Sequence, residues 1–405
     1  MSELFFDFIQ IAIGNRKSLS VAIDHSDWGR LFEYCKSHDI LGIGYSAVEK
    51  LHSQGIACPS SLEEQWREIA YQIEKQNEVI NGQCAEITQQ YEHDGFSTCF
   101  LNGQGNLSNY PEELRLRRMS DDIFVWAIPN GDVPIAVQTE KDEVGYVTYQ
   151  GRKAVIEYVK MLHRLVGNKG KPVVRYHHIE APKLDGTEVE VHFRPCYTHS
   201  PLRNRRMQRW LYEHADVCMK NKTQMGFAVP TSSVNVVYQM CHLFSHYFDE
   251  GLGLRQFMDY YFALKIWHND VMECKDLQSQ GMWSEGLGTP VMSKEEVMSV
   301  LRSFGIAKFT SAVMYVLHKT FAMPTHYYIC KPNEKEGRKL LAEIMQGGNF
   351  GQYDTRDAAL KKGGMMKHGL WKLKRVMRLV SSYPEEAMWE PVFRVYHLFW
   401  RRIHN

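Results

Sequence analysis

An α+β fold, a small mixed sheet flanked by N-terminal and C-terminal helical regions, is what the 405 residues predict, on three observations. Apolar residues recur three and four apart from residue 3 to about 95, with charges between them. The pattern then breaks at Phe96 into short alternating runs set off by Gly, Asn, Pro and Asp. From about 203 helical spacing returns. The predicted organisation is therefore a helical region over 1–95, an α+β core over 96–202 and a helical domain over 203–405.

Within the first region, Trp28–Cys35 and Glu63–Tyr71 carry the helical spacing most plainly. The strand-like runs are 97–101, 122–128, 144–148, 173–177 and 189–193, with a helix expected over 152–166. Ser293 and Glu296 have capping-box spacing ahead of a helix over 297–304. The stretch 273–292, rich in Gly, Ser and Gln, predicts a linker or long loop.

Composition narrows the function classes. Apolar residues make up 44% of the chain and charged residues 23%, enough to bury a large core. A formal net charge of +1 offers no strong overall field, so nucleic acid is not the expected partner. No apolar run reaches the roughly 18 residues that span a bilayer. Residues 1–8 mix acids with apolar residues and carry no basic stretch, so no secretory leader is expected. Nine scattered cysteines without a CxxC pair read as reduced thiols, which makes the cytoplasm the expected location.

The chemistry concentrates in the middle. Leu101–Gly105 reads LNGQG and follows a strand-like run; Tyr110 and Pro111 come next, then Arg118–Trp126, and later Val189–Pro195 reading VEVHFRP. A glycine turn and two acidic strands suit metal-assisted nucleotidyl transfer. The turn lets backbone amides approach a triphosphate, and carboxylates on neighbouring strands hold Mg²⁺ between phosphate oxygens.

In order and spacing these stretches resemble the uncharacterised nucleotidyltransferases of the DNA polymerase beta-like superfamily, whose pattern is close to LKGQG, YP, RxSGDIDIW, VEVHFRP and a later GLRQ. Here the last is Gly253–Gln256. The resemblance implies a nucleotidyltransferase core, an NTP donor with an unknown small-molecule or protein acceptor, and Mg²⁺ held by Asp122 and Glu190. It also implies nucleotide contacts from Gly103, Gln104, Gly105, Arg118, Ser120, His192 and Arg255. Two departures stand out. Aligned on Ser120, Ile123 and Trp126, the family's second metal aspartate becomes Phe124, and its lysine before glycine becomes Asn102. Side chains two apart on a strand share a face, so Phe124 would sit beside Asp122 where a second carboxylate is needed. A catalytically degenerate fold acting in binding or regulation is the alternative this motivates.

Plainer readings accompany each feature. Paired acids such as Asp121 and Asp122 also occur at solvated turns. Glu190 and His192 also suit the exposed face of an edge strand, and a short GxG is a common tight turn. His242 and His246 have metal-site spacing on a helix, but no HExxH glutamate accompanies them. Arg255 and Asp259 could form an i,i+4 pair. Seven Lys or Arg between 361 and 378, with no acid, could face an anionic partner or solvent.

Overall fold

The computed structural model describes residues 2–138, 144–167, 170, 172–279, 291–356, 360 and 364–404. The chain forms two compact units that interleave in sequence. One comprises Met1–Asn77, Asn109–Met119 and Asn235–Met388; the other comprises Glu78–Ser108, Ser120–Val234 and Trp389–Asn405. The helix Ser60–His93 passes from the first to the second, which is why its apolar residues serve two cores.

The first unit is helical among its described residues. Its start shows how local sequence sets an element: Asp24 accepts from the Ser26 and Asp27 amides while Asp27 returns a bond to the Asp24 amide, fixing the N-terminus of the helix His25–Ser37. That helix buries Trp28, Leu31, Phe32 and Cys35 at the predicted spacing. Phe32 meets Trp66 edge to face at 5.2 Å, and the Trp66 indole donates to the Leu41 carbonyl at 2.8 Å, so the large ring is buried without an orphaned N–H. Ser293 and Glu296 form the expected capping box on the helix Lys294–Ser303.

The second unit contains a four-stranded mixed sheet in the order β1-β2-β6-β5. The strands are β1 (Phe96–Phe100), β2 (Asp122–Pro129), β5 (His178–Glu180) and β6 (Glu188–His192); a separate hairpin pairs β3 (Val133–Gln138) with β4 (Val144–Tyr149). β2 runs parallel to β6, and a parallel pair needs a long crossover. The helix Gly151–Leu165 lies within that connection. Alternation decides the faces: Ile123, Val125, Val189, Val191 and Ile179 point into one core with Phe96 and Phe100. Ile80, Cys84 and Ile87 of the Ser60–His93 helix and Val155 and Tyr158 of the crossover helix close that core. The opposite face carries Asp122, Phe124 and Trp126 on β2 and Glu188, Glu190 and His192 on β6.

Several expectations need correcting. The run 173–177 is not a strand, because the chain reverses there. Val174 bridges Ile179, the Arg175 amide donates to the His178 carbonyl at 2.8 Å, and the strand proper begins at His178. Strand β3 carries no strand signal in the sequence because Asp132 precedes it and Pro134 is its second residue, and both residue types mark turns more often than strands. The expected loop 273–292 is helical at its start, since the helix Leu254–Ser279 runs through its first residues; 280–290 lie outside the described residues. Of the basic run, Lys361 and Lys362 also lie outside them. Arg375 is buried and donates to the Phe248 carbonyl at 3.0 Å and to that of Tyr247, satisfying carbonyls at the end of the helix Ser232–Asp249. Lys372 lies 3.8 Å from Asp249. Part of the run thus serves packing. Among the described residues no helix is long and apolar enough to cross a membrane.

The His38 imidazole is fully buried and accepts from the Leu254 amide at 3.4 Å. Burial pushes its pKa down from 6.5 to about 4. The folded chain keeps it neutral while the unfolded chain takes up a proton, so stability is lost as pH falls from 6.5 to about 4 and is unaffected above that window. The full difference is about 3 kcal/mol. Urea unfolding midpoints should fall less between about pH 7 and about pH 4.5 in His38→Gln than in the parent; identical falls would show that His38 does not couple folding to pH.

Candidate functional site

The site is built where β1 ends and β2 begins. After Phe100 the Leu101 amide donates to the Phe124 carbonyl at 3.0 Å, extending the β1–β2 ladder by one residue. Gly103 then takes φ +57°, a left-handed conformation that glycine adopts without strain. A Cβ there would lie 3.3 Å from the Asp122 carbonyl oxygen and 3.9 Å from Ser120 Oγ, so the turn sits against the entrance of β2. Residues Gln104–Leu107 form one helical turn, in which the Gly105 amide bonds to the Asn102 carbonyl (3.1 Å) and the Asn106 amide to that of Gly103 (3.0 Å). A Cβ at Gly105 would collide with the Phe100 carbonyl, so only glycine allows the turn to fold back on the strand it leaves. Gly103, Gln104, Gly105 and Ser120 are all buried.

The parallel register sets the polar face. Asp122 lies opposite Glu188, Phe124 opposite Glu190, and Trp126 opposite His192. Asp122 and Phe124 are half-buried, and the Phe124 ring stands 5.8 Å from the His192 imidazole. Glu188 is exposed and holds Lys183 at 2.7 Å; Lys183 is raised by that hydrogen bond and by the charges of Glu188 and Asp122.

Glu190 faces histidines. Its Oε2 lies 3.3 Å from His178 Nδ1 and 3.3 Å from His192 Nε2. The His192 contact is not aligned as a hydrogen bond, and neither His192 nitrogen has an aligned partner. Burial, followed by the neighbouring His192, pushes His178 down to about 3, so it is neutral at ordinary pH. Burial works to raise the Glu190 carboxyl, yet it stands below the usual carboxylate range because His192, His178 and Arg175 face it. His177 and His178 carried no functional expectation. As consecutive strand residues they would point to opposite faces, and the chain reversal at 174–179 is what brings both to one place.

Arg118 and Arg255 belong to the other unit. Arg118 forms a buried two-pronged pair with Asp259, both contacts at 2.7 Å, and Tyr110 donates to the same carboxylate at 2.6 Å. The Arg118 fork matches both oxygens of the carboxylate. Arg255 donates to the Met119 carbonyl at 3.0 Å and lies 3.7 Å from Asp39. His242 and His246 also lie in that unit, with rings 4.3 Å apart.

A cavity of about 400 Å³ opens at the other ends of β2 and β6, lined by Trp126, Pro129, Arg152, Gln208 and Tyr212 among others. It includes none of Asp122, Glu188 or Glu190. The chemistry is better sought at the glycine turn, where carboxylates and backbone converge.

On this short sheet a glycine turn closes against the first residue of an acidic strand, with a second acidic strand in parallel beside it. The profile of a family described as an uncharacterised nucleotidyltransferase matches residues 24–280, and the chain belongs to that family. No curated protein and no solved structure matches it.

Because the Gly105 collision is with backbone, Gly105→Ala should destabilise the second unit by about 1–3 kcal/mol, the usual cost of forcing volume into a packed site. Chemical unfolding of the two proteins measures this; an unchanged midpoint would show that the turn can move off the strand.

Proposed function

We propose that the chain transfers a nucleoside monophosphate from an NTP to a hydroxyl, amine or phosphate of a small-molecule or protein acceptor. The observation that carries the reading is the register that puts Asp122 opposite Glu188, beside the Gly103 turn. In such a step the acceptor atom bonds to the α-phosphorus and the bond to the β-phosphate oxygen breaks, releasing pyrophosphate.

The donor set suits one Mg²⁺. Asp122 and Glu188 are hard oxygen donors, and Mg²⁺ is commonly held by one or two carboxylates with water and substrate phosphates filling the octahedron. Bound there, the ion would supply charge neutralisation on the triphosphate. The turn at 103–105 and Ser120 would position the phosphates, and Lys183 would meet their negative charge. Glu190, the carboxylate that the family resemblance pairs with Asp122, lies one alternation further along the same face, where its Oε2 is 3.3 Å from His178 and His192. A cytoplasmic setting fits the same reading, since the cysteines are free thiols.

Phe124 favours a second reading, a nucleotide-binding protein without transfer activity. It occupies the place on the Asp122 face where a second metal carboxylate would stand, and an apolar ring cannot ligate a cation.

Incubating the chain with Mg²⁺ and an NTP labelled in the α-phosphate, with bacterial extract as the source of acceptors, separates the two. Transfer predicts a labelled acceptor that disappears in Asp122→Ala with a rate loss of at least about 100-fold, or about 2.7 kcal/mol of barrier. Tight NTP binding without labelled product supports the binding reading. Label that persists in Asp122→Ala would remove this site from consideration. Phe124→Asp should strengthen Mg²⁺-dependent NTP binding measured by calorimetry, and no gain would mean that the 124 side chain does not face the metal.

A further inference from the structure

Three imidazoles gather on the polar side of the sheet of the second unit. His177 sits in the reversal before β5, His178 opens β5, and His192 closes β6 directly opposite His178. One ligand atom of each lies within 4.8 Å of the others. His178 Nδ1 stands 2.9 Å from His177 Nε2, and the rings of His177 and His178 lie 5.3 Å and 5.1 Å from that of His192. Glu190 Oε2 is 3.3 Å from both His178 Nδ1 and His192 Nε2. We propose that His177, His178 and His192, completed by Glu190, form a binding site for a divalent transition metal of the zinc class.

Three physical points support it. Zinc bonds to nitrogen and oxygen at about 2.0–2.2 Å, so neighbouring ligand atoms of a tetrahedron stand about 3.3–3.4 Å apart. The two Glu190 separations already have that value. Buried polar nitrogens normally have partners, yet neither nitrogen of the buried His192 has an aligned one, and its Nε2 is the atom that faces Glu190. An ion would engage rings that the protein leaves under-satisfied. Imidazole nitrogen is a borderline donor that suits zinc, copper or nickel better than magnesium, which sets this site apart from the oxygen donors at Asp122 and Glu188.

Three histidines and a carboxylate fill a tetrahedron, the arrangement of a closed structural site. The ion would tie the 174–179 reversal to the end of β6 and fix Glu190 in its orientation toward the histidines. The inference does not rest on the transfer reading. It assigns Glu190 to the transition metal and leaves Asp122 and Glu188 for any phosphate-bound cation.

The test uses the full chain, stripped with a chelator and titrated with ZnCl₂ in a calorimeter, with Co²⁺ as a spectroscopic stand-in. One equivalent of tight zinc and an intense tetrahedral Co²⁺ spectrum are expected. The double variant His178→Gln/His192→Gln should lose at least about 100-fold in affinity and Glu190→Gln about 10-fold. The Co²⁺ spectrum of the unaltered chain needs no variant, and the partly exposed His177→Gln stands in if the double variant does not fold. Asp122→Ala should bind zinc as the parent does, so loss of labelling and loss of zinc are separable failures. His242→Gln/His246→Gln should also retain the equivalent. Absence of stoichiometric binding, a weak octahedral Co²⁺ spectrum, or zinc lost with His242 and His246 but kept without His178 and His192 would each overturn the proposal.

Discussion

The parallel pairing of β2 with β6 is the constraint on which the rest of the second unit depends. Because side chains alternate along each strand, one register assigns every residue at once: Ile123, Val125, Val189 and Val191 to the core, and Asp122, Phe124, Glu188, Glu190 and His192 to the polar face. A slip of β6 by one residue would bury Glu188 and Glu190 and expose Val189 and Val191. Apolar burial on one side therefore enforces the geometry of charge on the other. The site inherits its precision from the core beneath it.

The same face makes two electrostatic neighbourhoods. Near the β2 entrance the half-buried Asp122 and the exposed Glu188 lie opposite one another, with Lys183 against Glu188. One step along, Glu190 enters a buried cluster of imidazoles and is held ionised there. Hard oxygen donors at one end and imidazoles at the other select different cations by donor chemistry alone. Phe124, between them on β2 and against His192, is an apolar ring at the point where the two neighbourhoods meet.

Close backbone approach is the second structural theme. Gly103 and Gly105 let the chain leave β1 and fold back against the strands on either side, one by adopting a positive φ and the other by having no Cβ to strike the Phe100 carbonyl. The first unit uses polar contacts for a comparable purpose: Arg118, Asp259 and Tyr110 satisfy one another in a buried network that anchors the segment Asn109–Met119. Removing one member would leave a buried charge without its partner, the costly half of such an arrangement.

Much of this was legible in the amino-acid sequence. Local periodicity marked the helices and most strands, the capping box at Ser293 follows from residue identity at short range, and the motif order from LNGQG to VEVHFRP pointed to the family that the profile match establishes. Same-face placement of Asp122 and Phe124 needed only the two-residue period of a strand. What depended on distant partners was not legible. Strand pairing put Glu188 opposite Asp122, the reversal at 174–179 turned a predicted strand into a histidine cluster, and the Arg118 fork reached Asp259 across 141 residues. Short-range rules act through torsions and neighbours three or four residues away, so one sequence window contains them. Pairing register and side-chain partnership are decided by packing between segments far apart in the chain, and only the folded structure holds that information.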